Sequence, residues 1–225
     1  MRTEAARRYL LQSWFSPAYP IGGYTYSHGL EWAVEAGDVR DAASAGDWLD
    51  GVLRLGAGRS DTMLLAAAWR AEDETSFDEI AALAHALTPS AERRLESQNQ
   101  GRAFLDVTSA SWPAERLAWA QALPTAQRHH GVVVGLAGRA HEIPLDELAE
   151  AWLHGFVANL VSAAVRLIPL GQTDGQRLQA GFSQAVLATA GEAIHAPLDD
   201  IGGLALAADV ASMCHETQYT RLFRS

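Results

Sequence analysis

The groups able to do chemistry in this chain are eight histidines, one cysteine and an uneven set of charges. The histidines are His28, His85, His129, His130, His141, His154, His195 and His215. His215 and Glu216 open as the zinc-protease helix motif H-E-x-x-H does, but Tyr219 stands where the second histidine belongs, so a two-ligand face is missing. His129 and His130 are neighbours, and on a helix their side chains diverge by about 100°. Cys214 beside His215 has the composition of a soft ligand, or of a nucleophile with its base, yet consecutive helical residues do not face each other. Its surroundings, Val210, Ala211 and Met213, read as ordinary core. No catalytic residue, cofactor site or metal ligand is assigned. A helical metal-dependent enzyme using His215, Glu216 and other histidines stands as the alternative reading.

Gly22-Gly23 and Gly202-Gly203 do not fit a phosphate-cradling loop, because the Gly-x-x-x-x-Gly-Lys-Ser/Thr pattern is absent and the chain contains no lysine. Without a Cβ, Gly22-Gly23 serves either a turn between helices or the close approach of a partner. Arg166 lies in an otherwise apolar run that ends at Pro169, where an unpaired charge is costly. Its expected role is a clamp across the helix break to Gln172, Asp174 and Gln176, with a place in an internal polar passage as the second reading. Near the C-terminus, Tyr219, Leu222 and Phe223 alternate with Arg221 and Arg224, a mixture typical of interface anchors. The bland alternative is a segment docked on its own domain.

Two segments stand apart from the plain Ala-rich body between them: PIGGYTYSHGLE, from Pro20 to Glu31, and HETQYTRLFRS, from His215 to Ser225. The first resembles the PIG-aromatic-x-YS-x-GLE signature of the UreF urease accessory proteins, and the second resembles that family's C-terminal end. The resemblance continues in Glu92-Arg93-Arg94, Ser97, Gln100-Gly101 and Ala103-Phe104-Leu105, and from Asn159 through R-L-I-P-L-G-Q-T-D-G-Q, Arg166 to Gln176. It covers nearly the whole chain. It implies an all-helical, non-enzymatic assembly factor that binds UreD (also called UreH), recruits the GTPase UreG and helps deliver nickel to apo-urease. It further implies a homodimer, and leaves room for an arginine acting on UreG without saying which one.

The partner-binding residues expected on these grounds fall in an N-terminal segment, 16–31, and a C-terminal one, 215–225. They are Pro20, Gly22, Gly23, Tyr24, Tyr26, Ser27, Gly29 and Glu31, with Tyr219, Arg221, Leu222, Phe223 and Arg224. Both segments are rich in glycine or arginine, so they are expected to gain little by packing on their own domain and to order together on a partner.

The elements that must position these groups are helical. A chain of 225 residues, 48% hydrophobic and without a linker-like run or repeat, predicts one all-α domain, 1–225, of roughly ten helices. Net charge is −10 and no basic stripe offsets it, which argues against nucleic acid. One cysteine permits no internal disulfide and fits a cytoplasmic setting. The apolar stretch from Ala151 to Ile168 carries His154, Asn159 and Arg166 and predicts a buried central helix rather than a membrane span.

Apolar spacing and breakers set the helix ends. Tyr26, Leu30, Ala33 and Val34 share one face, with Gly37 as the stop. Ser76 with Glu79 reads as a capping box, and Thr88-Pro89 as the start of a long helix that Pro113 ends. Val132 to Val134, between Gly131, Gly135 and Gly138, reads as a helix packed through small residues, with a short strand as the alternative.

Overall fold

The computed structural model describes residues 2–224; Met1 and Ser225, the latter included in the expected C-terminal segment, lie outside the described residues. Among the described residues the chain forms twelve α-helices and three single 3-10 turns, and no strand. The all-α expectation holds.

Helix α1 (Glu4–Trp14) is capped by Thr3, whose hydroxyl accepts from Ala6 N, and it stops ahead of Pro17. The short α2 (Leu30–Glu35) ends where Gly37 takes φ 83° and Asp38 N and Val39 N both donate to Ala33 O. A capping box at Asp41 and Ser44 opens α3 (Ala42–Leu55), and α4 (Ala57–Arg70) follows after Gly56.

The next two helix starts differ from expectation. Helix α5 (Glu74–Leu87) begins at Asp73, whose carboxylate accepts from Ser76 N at 2.8 Å, so Ser76 is the third helical residue and not the cap. Thr88 turns its hydroxyl back to Ala84 O at 2.9 Å and closes α5, leaving Ser90 to accept from Arg93 N and open α6 (Ala91–Ser111). In both places the local hydrogen bond that satisfies an orphan helix-end group decides the boundary.

The remaining helices are α7 (Leu117–Ala122), α8 (His130–Ala140), α9 (Leu145–Leu167), α10 (Gln172–Gly181), α11 (Ser183–His195) and α12 (Leu206–His215). Helices α4, α8 and α9 make the centre. A Cβ on Gly135 would stand 2.2 Å from Leu65 O, and one on Gly131 2.9 Å from Asp61 O, so α8 approaches α4 through its glycines and the helix reading of this stretch is correct. Val132, Val133 and Val134 are fully buried. By length and composition α9 could cross a membrane, yet half of its most apolar window is buried against neighbouring helices, as a core helix is.

Candidate functional site

The two singled-out segments meet. Between α1 and α2 the chain passes through Gly22 at φ 72°, a 3-10 turn at Gly23–Thr25, and two successive left-handed residues, His28 at φ 55° and Gly29 at φ 75°. This path brings Glu31, on the first turn of α2, against the end of α12. His215 is fully buried there, with Nε2 3.0 Å from a Glu31 carboxylate oxygen and Nδ1 2.6 Å from a Glu92 carboxylate oxygen. Arg221 reaches the other Glu92 oxygen at 2.8 Å.

Glu31 also holds the main chain of the C-terminal segment. Leu222 N donates to Oε1 at 2.6 Å and Phe223 N to Oε2 at 2.8 Å. Arg224 N donates to Thr25 O at 2.8 Å, inside the first segment itself. The two bonds to the Glu31 carboxylate are charge-assisted, a kind about twice as strong as neutral ones. Behind them Ser90 and Ser212 share a hydrogen bond of 2.8 Å, and Glu216 accepts from Ala91 N at 2.9 Å, so α12 is fastened to the start of α6.

The expected partner-binding residues therefore divide. Tyr26, Ser27, Gly29, Glu31 and Phe223 are buried within the chain. Pro20, Tyr24, Tyr219, Arg221, Leu222 and Arg224 are exposed, Tyr219 completely so, while Gly22 and Gly23 are half-buried. The expectation that both segments gain little from their own domain is corrected: the Glu31 carboxylate supplies the acceptors that the C-terminal amides need, and the segments order on each other.

Arg166 also departs from expectation. It is exposed, its Nε donates to Ser162 O at 3.2 Å, and its guanidinium carbon lies 4.3 Å from the centre of the Phe223 ring. The expected clamp to Gln172, Asp174 and Gln176 is replaced by this contact. Asp174 pairs with Arg177 at 2.9 Å, and Gln172 and Gln176 face outward. Helix α10 packs on the Val161 and Val165 side of α9, about 100° round the helix from Arg166, which points at the C-terminal segment instead.

A second buried polar group lies on the inner face of α6, which sequence reading passed over. Glu92, Glu96 and Gln100 recur every four residues and are all buried, a polar stripe whose spacing was visible in the sequence. Glu96 is paired with Arg93, accepts from Gln100 Nε2 at 3.0 Å and lies 2.9 Å from His28 Nε2. Burial alone works against its ionisation, but Arg93 and His28 override it and hold the carboxyl at about 2. Burial, then the Arg93 charge, keeps His28 below its ordinary value, and its Nε2 lies 2.8 Å from Arg93 NH1. On the other side of Arg93, at 3.7 Å, Asp61 is pushed up to about 6 by burial.

Glu96 and Gln100 of this stripe line a cavity of 440 Å³ together with Gly22, Gly23 and Tyr24 of the first segment and with His130. Burial holds His130 at about 3 and, aided by the charge of His85, His129 at about 4. Both values lie below that of the unfolded chain, which therefore takes up protons the fold refuses as pH drops. Stability from these groups is complete above about pH 6.5 and falls with pH toward the folded values, by about 1.4 kcal/mol per pH unit per histidine. Asp61 opposes this with one proton, since its raised value favours the fold at lower pH. Thermal melts of His130→Leu between about pH 4.5 and 5.5 are expected to show a pH slope shallower than wild type by one proton. Parallel slopes would show that His130 is protonated in the fold.

The alternative metal-enzyme reading finds no support in this geometry. Both His215 nitrogens face carboxylates that themselves bind Arg221 and the Leu222 and Phe223 amides, and Glu216 points to Ala91 N. Among the described residues no group of three or more His, Cys, Asp or Glu side chains is placed to hold a metal ion.

Fold and site together define an all-helical scaffold whose ionisable residues are spent on joining two chain segments beside an exposed aromatic and arginine surface. The profile of the UreF family matches residues 39–183. The chain is 49% identical over 225 residues to the urease accessory protein UreF of Rhodopseudomonas palustris (strain HaA2), covering 99% of this chain and 95% of that one. It is 51% identical over 225 residues to the protein of the same name in Bradyrhizobium diazoefficiens, covering 99% and 93%. For that of Xanthobacter autotrophicus the identity is 52% over 218 residues, covering 96% and 90%. The chain belongs to the UreF family of urease accessory proteins, an assembly-factor family and not an enzyme family.

Proposed function

We propose that this protein is the scaffold on which a urease maturation complex assembles: as a cytoplasmic homodimer it binds UreD, recruits the GTPase UreG and assists nickel insertion into apo-urease. The proposed contact surface is Tyr24, Tyr219, Arg221, Leu222 and Arg224, with Pro20 at its edge. The observation that carries this reading is the double use of Glu31, which binds His215 and the Leu222 and Phe223 amides and so sets the two segments side by side. Large apolar side chains left outward at Tyr24, Tyr219 and Leu222 cost solvation in the free protein and are the kind of residue that anchors an interface once water is excluded. Membership of a urease accessory family supports the choice of these partners.

Co-purification with UreD and UreG tests the surface without disturbing Phe223. The double variant Tyr219→Ala, Leu222→Asp is expected to keep the wild-type melting temperature and to weaken recruitment by about 2 to 4 kcal/mol, enough to lose the complex on a column. A stable complex and full urease activation by this variant would remove the proposed surface.

A further inference from the structure

An open groove of 780 Å³ is lined by residues that take no part in the site above, on α1, the ends of α4 and α8, the start of α7, and the turn at Glu142–Pro144. Two arginines in it rest on tryptophans. The Arg116 guanidinium carbon is 4.4 Å from the Trp119 ring centre and that of Arg139 is 4.6 Å from the Trp69 ring centre. Each platform is itself fixed. Trp69 Nε1 donates to Ile143 O at 2.9 Å, the Trp119 ring packs 6.3 Å from Phe77, and Arg116 NH1 donates to Ala71 O at 2.7 Å.

Among the described residues neither guanidinium has a carboxylate at ion-pair distance. Arg7, also in the groove, leans to Glu147 at 3.6 Å, and Glu142 accepts from Arg2 N at 2.8 Å. This is unusual in a chain with 27 acidic residues and 17 basic ones, where pairing partners are in excess. Burial and then the charge of Arg139 hold Arg116 below its ordinary value, so the two cations repel each other across the groove. A bound anion between them would relieve that repulsion.

We infer that this groove binds an acidic segment of a partner protein, with its carboxylates on Arg116 and Arg139 and its neighbouring apolar side chains on Trp69 and Trp119. Planar guanidiniums held on rings keep their remaining donors aimed, all of them at Arg139 and those other than NH1 at Arg116, which suits capture of a carboxylate at little entropic cost. The groove is open along its length rather than closed around a small molecule, and Glu115 on its lining opposes a dense anion more than spaced carboxylates. That the occupant is a protein rests on the assembly role proposed above; the groove uses none of that surface's residues.

Titration calorimetry at low ionic strength, with acetylated hexaglutamate, inorganic phosphate and ATP as separate probes, tests the groove without any natural partner. Hexaglutamate is expected to bind despite the protein's negative charge, and added salt is expected to weaken it. Arg116→Ala and Arg139→Ala are each expected to weaken it about tenfold, while Arg8→Ala, on an exposed arginine paired with Glu4, leaves it unchanged. Arg139 is exposed and its side chain donates no hydrogen bond within the described residues, so Arg139→Gln decides the matter even where Arg116→Ala disturbs the fold. Absence of hexaglutamate binding, or binding indifferent to both arginines, overturns the inference. Tighter binding of phosphate or ATP through the same two arginines also overturns it, in favour of a phosphate site. Recruitment of UreD and UreG by the Tyr219, Leu222 variant, whether lost as expected or retained against the proposed surface, leaves these titrations untouched, so the two readings fail separately.

Discussion

Replacing Glu31 with alanine is expected to destabilise the protein by about 3 to 5 kcal/mol and to release its C-terminal segment. The size follows from what the carboxylate holds. It is buried, and its loss strands one nitrogen of the fully buried His215 together with the amides of Leu222 and Phe223. A buried donor left without an acceptor costs about 1 to 3 kcal/mol, but here the freed segment moves into water and recovers part of that. The melting temperature reports the first effect. Hydrogen exchange at the Leu222 and Phe223 amides reports the second, with protection expected to disappear in Glu31→Ala. Unchanged protection of those two amides would show that Arg166 stacking on Phe223 and the Arg224 N to Thr25 O bond hold the segment without Glu31.

The second large effect is expected at Gly29, where alanine should lower the melting temperature by about 5 to 12 °C. The residue sits at φ 75°, a conformation that costs an L-residue about 1 to 2 kcal/mol. The added Cβ would stand 2.7 Å from Ser212 N and 3.0 Å from Ala208 O, both backbone atoms of α12, so the helix itself has to move. Movement of α12 shifts His215 and the joint between the two segments. Gly22→Ala separates the causes: it has the same left-handed backbone, φ 72°, with nothing within 4 Å of the Cβ position, and should show only the strain. Equal melting temperatures for the two variants would remove the contact with α12 as a cause.

The helices were legible because their ends are written in short-range chemistry. Pro17, Gly37 and Pro113 stop helices where their backbone limits say they must, and the glycine spacing of α8 announced a close helix contact. Cap identity was less legible, since Asp73 and Ser76, or Thr88 and Ser90, compete for the same orphan amides and only geometry picks the winner. In the candidate site the two segments were visible as odd composition, but their mutual contact was not. It runs through Glu31, which lies 191 and 192 residues from the amides it holds, with Glu92 bracing His215 and Arg221 from a third place in the chain. Arg166 shows the opposite error: its helix is apolar overall, yet a helix has sides, and this residue lies on the wet one.

The Glu31 attachment grips the C-terminal segment by main-chain N–H groups, which every residue except proline offers alike. Its hold is therefore indifferent to which side chains occupy 219, 222 and 224. Position and content are set by separate parts of the molecule: the carboxylate fixes where the segment runs, and the outward residues fix what it presents. Such a surface can be rewritten, residue by residue, to follow a changing partner without reopening the fold, as a key can be recut while its bow stays the same.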